Sequence, residues 1–214
     1  MAGGRGERLR PLTDHEPKPM LRIGRKPMLE CVMDRFIDQG FREFHISVHY
    51  RADLIEGYFG SGEKWGVSIN YLREHDPLGT AGALGLLPPQ SDPFIVANAD
   101  VMADIDYQAL LAAHDTSGCL ATMCLSLYQH QVPYGVVLTD GGLISGIREK
   151  PIESWAVNAG VYAISPGALG HLGTGRVDMP DFLSRFPVNT YQLDGYWSDV
   201  GRFEDYTRAA GAMI

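Results

Sequence analysis

The chain has 214 residues and a mass of 23.5 kDa, enough to bury about 70% of its unfolded surface without disulfides or a structural metal. Its 45% hydrophobic and 21% charged residues suit a globular protein. No apolar run nears the roughly 18 residues of a bilayer span, and the start Met1, Ala2, Gly3, Gly4, Arg5 has no hydrophobic signal core, so a cytoplasmic protein without a membrane role is expected. A formal net charge of −8 argues against nucleic-acid binding, which rests on basic footprints. Cys31, Cys119 and Cys124 form no Cys-x-x-Cys pair and read as free thiols. The charge is unevenly placed: residues 1–26 hold seven basic groups against three acidic, leaving eleven basic against 23 acidic in the remainder. A basic, glycine-rich start on an acidic body suggests a local site for a small polyanion.

In chain order, residues 28–39 place Met28, Val32, Met33, Phe36 and Ile37 on one helical face, with Gly40 as the stop. Residues 43–48 alternate like a strand, 52–59 form a short helix, and 67–72 are a strand after a glycine-rich turn. A helix is expected over 80–87, stopped by Pro88 and Pro89, then a buried strand at 94–97 running into Asn98, Ala99 and Asp100. A helix over 106–114 and a long apolar strand over 119–127 follow. From residue 134 the texture changes to strands at 134–139, 143–149 and 157–164, the first two joined by the turn 140–142. Helices near 179–186 and 202–210, with a strand near 188–193 between them, complete the pattern. Alternating helices and strands predict an α/β domain with a largely parallel sheet and a small antiparallel lobe.

The segment richest in chemistry is 2–20, AGGRGERLRPLTDHEPKPM. It is neither a Walker loop nor a Gly-x-Gly-x-x-Gly dinucleotide turn. Gly3, Gly4 and Gly6 nevertheless let backbone N–H groups approach a phosphate closely. Arg8 and Lys18 supply cations for a phosphoryl centre whose charge rises during displacement, and Pro11, Pro17 and Pro19 stiffen the segment around Lys18.

GGRGERLRPLT with PKPM resembles the signature of the sugar-1-phosphate nucleotidyltransferases, or nucleotide-sugar pyrophosphorylases, closest to their mannose-1-phosphate guanylyltransferase-like members. The likeness continues in family order through PLGTAGAL (77–84), ANAD (97–100), EKP (149–151), VNAGVY (157–162) and YWSDVGRFEDY (196–206). It implies a Rossmann-like nucleotide-diphospho-sugar transferase fold, with a mixed, mostly parallel sheet flanked by helices and a small antiparallel lobe. One catalytic domain would span 1–214, with a nucleotide-binding half at 1–130 and a sugar-binding, metal-completing half at 131–214. The implied reaction is attack of a sugar-1-phosphate oxygen on the α-phosphate of a nucleoside triphosphate, releasing pyrophosphate, with Mg²⁺ as helper ion.

The resemblance also assigns roles. Arg8 and Lys18 would hold the triphosphate and stabilise the transition state, with Asp100 beside them. Asp100 and Asp199 would be the Mg²⁺ ligands. Asp100 lies just past the carboxyl end of a buried strand, where α/β sheets keep their ligand crevice, and two hard carboxylates plus substrate phosphates suit a mostly hydrated Mg²⁺. Ala2, Gly3 and Gly4 would cradle phosphates, while Gly79, Thr80, Ala81 and Gly82 would recognise the base through backbone groups. Tyr134, Gly135, Glu149, Lys150, Asn158 and Gly160 would line the sugar pocket. LGTAGAL is similar to guanylyltransferases, which makes GTP the expected nucleotide; a few hydroxyl contacts would set the sugar. The expected partners are thus a nucleoside triphosphate and a sugar-1-phosphate, with a homo-oligomer left open.

Three features depart from the family pattern. Only Met1 and Ala2 precede Gly3 where the family has an apolar strand, so strand edges and apolar faces should be left uncovered. Glu7 replaces the common Thr and must turn outward from phosphates. The connection between 179–186 and 188–193 is short. Two rivals follow: a catalytically silent nucleotide-sugar-binding regulatory subunit on the same fold, and the same transfer with UTP, CTP or dTTP. Retention of Arg8, Lys18, Asp100 and Asp199 speaks against the first. A nicotinamide dehydrogenase fails on the glycine spacing.

Overall fold

The computed structural model describes residues 1–4, 6–201 and 206. The expected helix at 202–210 therefore lies outside the described residues apart from Tyr206. After the glycine loop, 3-10 turns at Glu7–Leu9 and Lys18–Met20 lead to a miniature hairpin, β1 (Arg22–Ile23) and β2 (Lys26–Pro27). Then come α1 (Met28–Asp38), β3 (Glu43–Val48), α2 (Ala52–Phe59), β4 (Ser68–Arg73) and α3 (Gly79–Gly82). β5 (Phe94–Ala97), β6 (Val101–Ala103), α4 (Tyr107–Ser117) and β7 (Ala121–Gln131) follow. The second half holds β8 (Val136–Asp140), β9 (Leu143–Arg148), β10 (Ile152–Ile164), α5 (Met179–Leu183), β11 (Val188–Gln192) and β12 (Trp197–Asp199). No helix among the described residues is long and apolar enough to cross a membrane.

Local chemistry accounts for several of these elements. α1 buries Met28, Leu29, Val32, Met33 and Phe36 at helical spacing. Asp106 caps α4, its carboxylate accepting from the Ala109 amide at 2.8 Å. The helix expected over 80–87 is instead the single turn α3 followed by a 3-10 turn at Ala83–Leu86. Gly79, Gly82 and Gly85 weaken helix here. The Ala81 and Gly82 amides also bond the Val177 carbonyl.

The sheet is mixed. Its four-stranded part runs β11–β7–β10–β5, with β11 parallel to β7 and β10 antiparallel to both its neighbours. β3 and β4 form a parallel pair, while β6–β12 and β8–β9 are antiparallel. Antiparallel ladders thus take a larger share than the mostly parallel expectation, because the long β10 returns beside β7 through the β8–β9 hairpin. That hairpin and the outer ends of β7 and β10 make the small lobe, with Leu143, Ile144, Ile147 and Ile152 exposed.

β3 and β5 do not pair with each other; Met1 and Ala2 stand between them. Met1 N donates to Ala97 O at 2.7 Å and Ala99 N to Met1 O at 3.1 Å, while Ala2 N reaches Ser47 O at 3.1 Å. Alternation of donor and acceptor to residues 97 and 99 is the pattern of a parallel ladder. Alongside lies an apolar cavity of about 300 Å³, lined by Phe36, Phe44, Ile46, Leu84, Phe94 and Val96 among others.

Three apolar clusters surround this frame. One joins α1 to α4, β6 and β10, with Phe36 and Tyr107 stacked 3.9 Å apart. A second gathers around Phe182, and a third packs α2 under β3 and β4. His114 is buried between Thr122 Oγ1 (2.9 Å) and Ser165 Oγ (2.8 Å), and desolvation pushes its pKa below the usual 6.5. In the range below that value the unfolded chain binds a proton that the folded chain refuses, so stability is kept near neutrality and lost as pH falls. Urea unfolding at about pH 7.5 and about pH 5.5 should show this loss, and His114→Gln, which does not titrate, should lessen it. An equal loss in that variant would assign the acid sensitivity to other groups.

Candidate active site

Lys18 is the centre of the site. It begins the 3-10 turn Lys18–Met20, held between Pro17 and Pro19, and only 9% of the residue is exposed. Its ammonium forms an ion pair with Asp100 Oδ2 and lies 4.0 Å from Asp199 Oδ1. Asp100 occupies the turn between β5 and β6, and Asp199 ends β12, whose register sets it opposite Val101. The Val200 amide bonds the Asp100 carbonyl at 3.0 Å, fixing the two aspartate-bearing segments together. Residues 18, 100 and 199 thus meet through the fold.

The glycine loop leaves this point from Ala2, which is buried and anchored to Ser47. Gly4 is exposed with open space around it. Gly3 packs against Glu74, whose Oε1 lies 2.9 Å from where a Cβ would stand. Arg8 and Glu7 are both exposed on the following turn, Glu7 turning outward as expected. Burial pulls the Met1 amine down to about 6, against the opposing fields of Asp100 and Glu74.

Asn158 and Gly160 reach the same place through an irregularity in β10, where its register on β7 shifts between Asn158 and Tyr162. Asn158 Oδ1 accepts from the Gly160 amide at 2.9 Å, and the Gly160 carbonyl accepts from the Asn98 amide at 2.9 Å. Gly160 has φ +74°, and a Cβ there would stand 2.7 Å from Asn98 Nδ2, so only glycine fits. The bulge locks the Asn98–Asp100 turn.

The remaining sugar-side candidates form a separate group at the root of the β8–β9 hairpin. Glu149 Oε2 lies against Gly135, Lys150 adopts the left-handed conformation at φ +43°, and Tyr134 is 74% exposed. No hydrogen bond or ion pair among the described residues joins this group to Lys18, Asp100 or Asp199.

The Gly79–Gly82 turn uses several of its own amides internally. The Thr80 amide bonds Asp178 Oδ1 at 3.0 Å, and the Ala81 and Gly82 amides both bond Val177 O. Three of its amides are therefore bonded inside the protein, with the exposed Thr80 and the half-buried Gly79 at the surface. Sequence reasoning missed Glu74, Asn98 and Asp178. Glu74 follows the carboxyl end of β4, the same signal that marked Asp100, and accepts from the Leu78 amide at 2.9 Å.

The family profile described as Nucleotidyl transferase matches residues 1–213. The chain belongs to the nucleotidyl transferase family. Among curated relatives, it is 34% identical over 219 residues to the mannose-1-phosphate guanylyltransferase catalytic subunit beta of Drosophila melanogaster, covering 96% of this chain and 59% of that protein. It is 32% identical over 221 residues to the mannose-1-phosphate guanyltransferase of Schizosaccharomyces pombe, covering 96% and 61%. The chain therefore spans about three fifths of the length of these relatives. Among solved structures, HddC from Yersinia pseudotuberculosis complexed with GMP-PN superposes with a TM-score of 0.78 at 26% identity, covering 100% of this chain and 97% of that one. A putative glucose-1-phosphate thymidylyltransferase from Bacillus anthracis superposes at 0.77 with 25% identity, covering 99% and 92%. These family members share the nucleotide-diphospho-sugar transferase fold with this chain.

Proposed function

We propose that this protein transfers GMP from GTP to a sugar-1-phosphate, releasing pyrophosphate and leaving a nucleoside-diphosphate sugar, in the cytoplasm and in the service of polysaccharide or glycoconjugate synthesis. The observation that carries the reading is the Lys18 ammonium held between Asp100 and Asp199 at the foot of the glycine loop. The names of the relatives and the GMP-PN complex of a structural neighbour favour guanine and make mannose-1-phosphate the first acceptor to test.

The reaction needs no protein nucleophile. The sugar phosphate is an anion at neutral pH, so its oxygen attacks the α-phosphorus directly as the bond to pyrophosphate breaks, and catalysis reduces to alignment and charge neutralisation. The Gly3–Gly4 amides orient phosphates, and Lys18 and Arg8 offset the charge that accumulates on the phosphoryl oxygens. Asn158 and Gly160, with Tyr134, Gly135, Glu149 and Lys150, receive the sugar phosphate. The donor set also suits Mg²⁺. Among the described residues no cluster of three or more His, Cys, Asp or Glu could enclose a metal, but two carboxylates converging on one cationic point match an ion that takes its other ligands from water and phosphates. Asp100 and Asp199 would hold it, and it would supply further neutralisation of phosphoryl charge.

Pyrophosphate release with Mg²⁺, measured across the four common nucleoside triphosphates and dTTP against a panel of sugar-1-phosphates, tests the proposal. Release requiring GTP and one sugar phosphate is expected. Another required triphosphate would move the base assignment, and silence from protein that still binds a nucleotide-sugar would establish the regulatory reading. Arg8→Ala should slow the chemical step by about a hundred-fold, more than it weakens sugar-phosphate binding. A pure loss of sugar-phosphate affinity would show the loop to be misassigned.

A further inference from the structure

The turn at Leu78–Gly82 is held from both sides by carboxylates outside the phosphate site. On one side Asp178 Oδ1 accepts from the Thr80 amide at 3.0 Å and from Thr80 Oγ1 at 3.4 Å. Thr80 Oγ1 in turn accepts from the Met179 amide at 2.7 Å. The neighbouring Val177 donates its amide to Leu78 O at 2.8 Å and takes the Ala81 and Gly82 amides on its carbonyl. On the other side Glu74 Oε2 accepts from the Leu78 amide, while its Oε1 rests against Gly3 of the glycine loop.

A single helical turn does not hold itself, because nucleation fixes several residues for very few bonds. The position of α3 is therefore set by its anchors. The fit is close: Gly79 has φ +81°, and a Cβ there would stand 2.5 Å from Val177 O and 2.8 Å from Asp178 Oδ1. Thr80 remains exposed on the turn, where an incoming nucleotide can reach it.

We propose that Asp178 is a positioning residue for the nucleotide: acting through Thr80, it fixes the Gly79–Gly82 turn relative to the glycine loop and so sets affinity for the triphosphate. This rests on the proposed function and on the reading of this turn as the stretch that receives the nucleotide's base. Asp178 lies on the segment that returns 98 residues later, and its second oxygen faces Arg176 at 3.7 Å. Its contribution is to alignment.

The test combines calorimetric titration with GTP and steady-state kinetics on the full chain. Asp178→Ala should weaken GTP binding about ten-fold, the scale of one or two lost hydrogen bonds. Its kcat and its KM for the sugar phosphate should stay within about two-fold. Asp178→Asn, which keeps an Oδ1 acceptor, should restore GTP affinity to nearly that of the parent. Unchanged GTP affinity in Asp178→Ala overturns the proposal. So does equal weakness of the two variants, or a joint fall in kcat and both affinities with a lowered melting temperature, which is what a merely structural role gives. Failure of the parent protein to bind or use any nucleoside triphosphate would instead sink the underlying functional reading.

Discussion

Asp100→Asn should reduce magnesium-dependent pyrophosphate release by about a hundred-fold or more while the protein still melts in one normal transition. The substitution is nearly isosteric and leaves an oxygen able to accept from Lys18. What it removes is the negative charge that balances an ammonium in a residue only 9% exposed. Lys18 is then left with Asp199, 4.0 Å away, as its anionic neighbour. One carboxylate now serves both the lysine and any cation brought by the triphosphate. The Asp100 side chain is 24% exposed, so water reaches the site and softens the stability cost. Asp199→Asn should behave similarly. Parallel melting curves with unchanged turnover would remove the metal assignment from both residues.

Gly160→Ala should damage stability and activity together. A left-handed residue with a Cβ costs about 1–2 kcal/mol, and forcing a methyl into packed space adds roughly 1–3 kcal/mol. Here the methyl would meet Asn98 Nδ2 at 2.7 Å and Val101 Cγ2 at 3.1 Å, one on the turn that carries Asp100 and the other the first residue of β6 just after it. A loss of about 3 kcal/mol lowers the melting temperature by roughly 6–12 °C in a chain of this length. Turnover should fall at least about ten-fold even well below that temperature, because the strain is relieved by shifting the Asn98–Asp100 turn. A variant with the parent's melting temperature and turnover would show that the β10 bulge does not hold this turn.

Much of this architecture was legible wherever a segment's own pattern decides its structure. The strands at 43–48 and 94–97 and the helix at 52–59 have the bounds their residues suggest, and α1 follows its apolar stripe. Pairing between distant segments was not legible. β6 and β12 are three-residue strands that exist because each supplies the other's hydrogen bonds. β10 begins five residues before the expected strand, where exposed, mixed residues from Ile152 onward pair with the outer end of β7. α3 is shorter than expected because Val177 and Asp178 draw off its amides, a fact written 98 residues away. The site shows the same division. Lys18, Asp100 and Asp199 have no spacing that would unite them, and only the order of family motifs proposed their meeting. Asp178, just ahead of the helix expected near 179–186, carried no signal of its own.

The seam at Met1 and Ala2 has a mechanical consequence. The unit formed by β3, β4 and α2 shares its apolar cluster with Leu29 and Met33 of α1 and with Ala99, Tyr58 and Trp65 donate to Glu30 of α1, and at the sheet edge Ala2 donates to Ser47. The glycine loop therefore departs from Ala2, a residue that belongs to this shared cluster and is bonded to β3. On the proposed function, a phosphate held by Gly3 and Gly4 would pull on the same residue that ties β3 to the rest of the fold, so ligand binding would bear directly on that anchor.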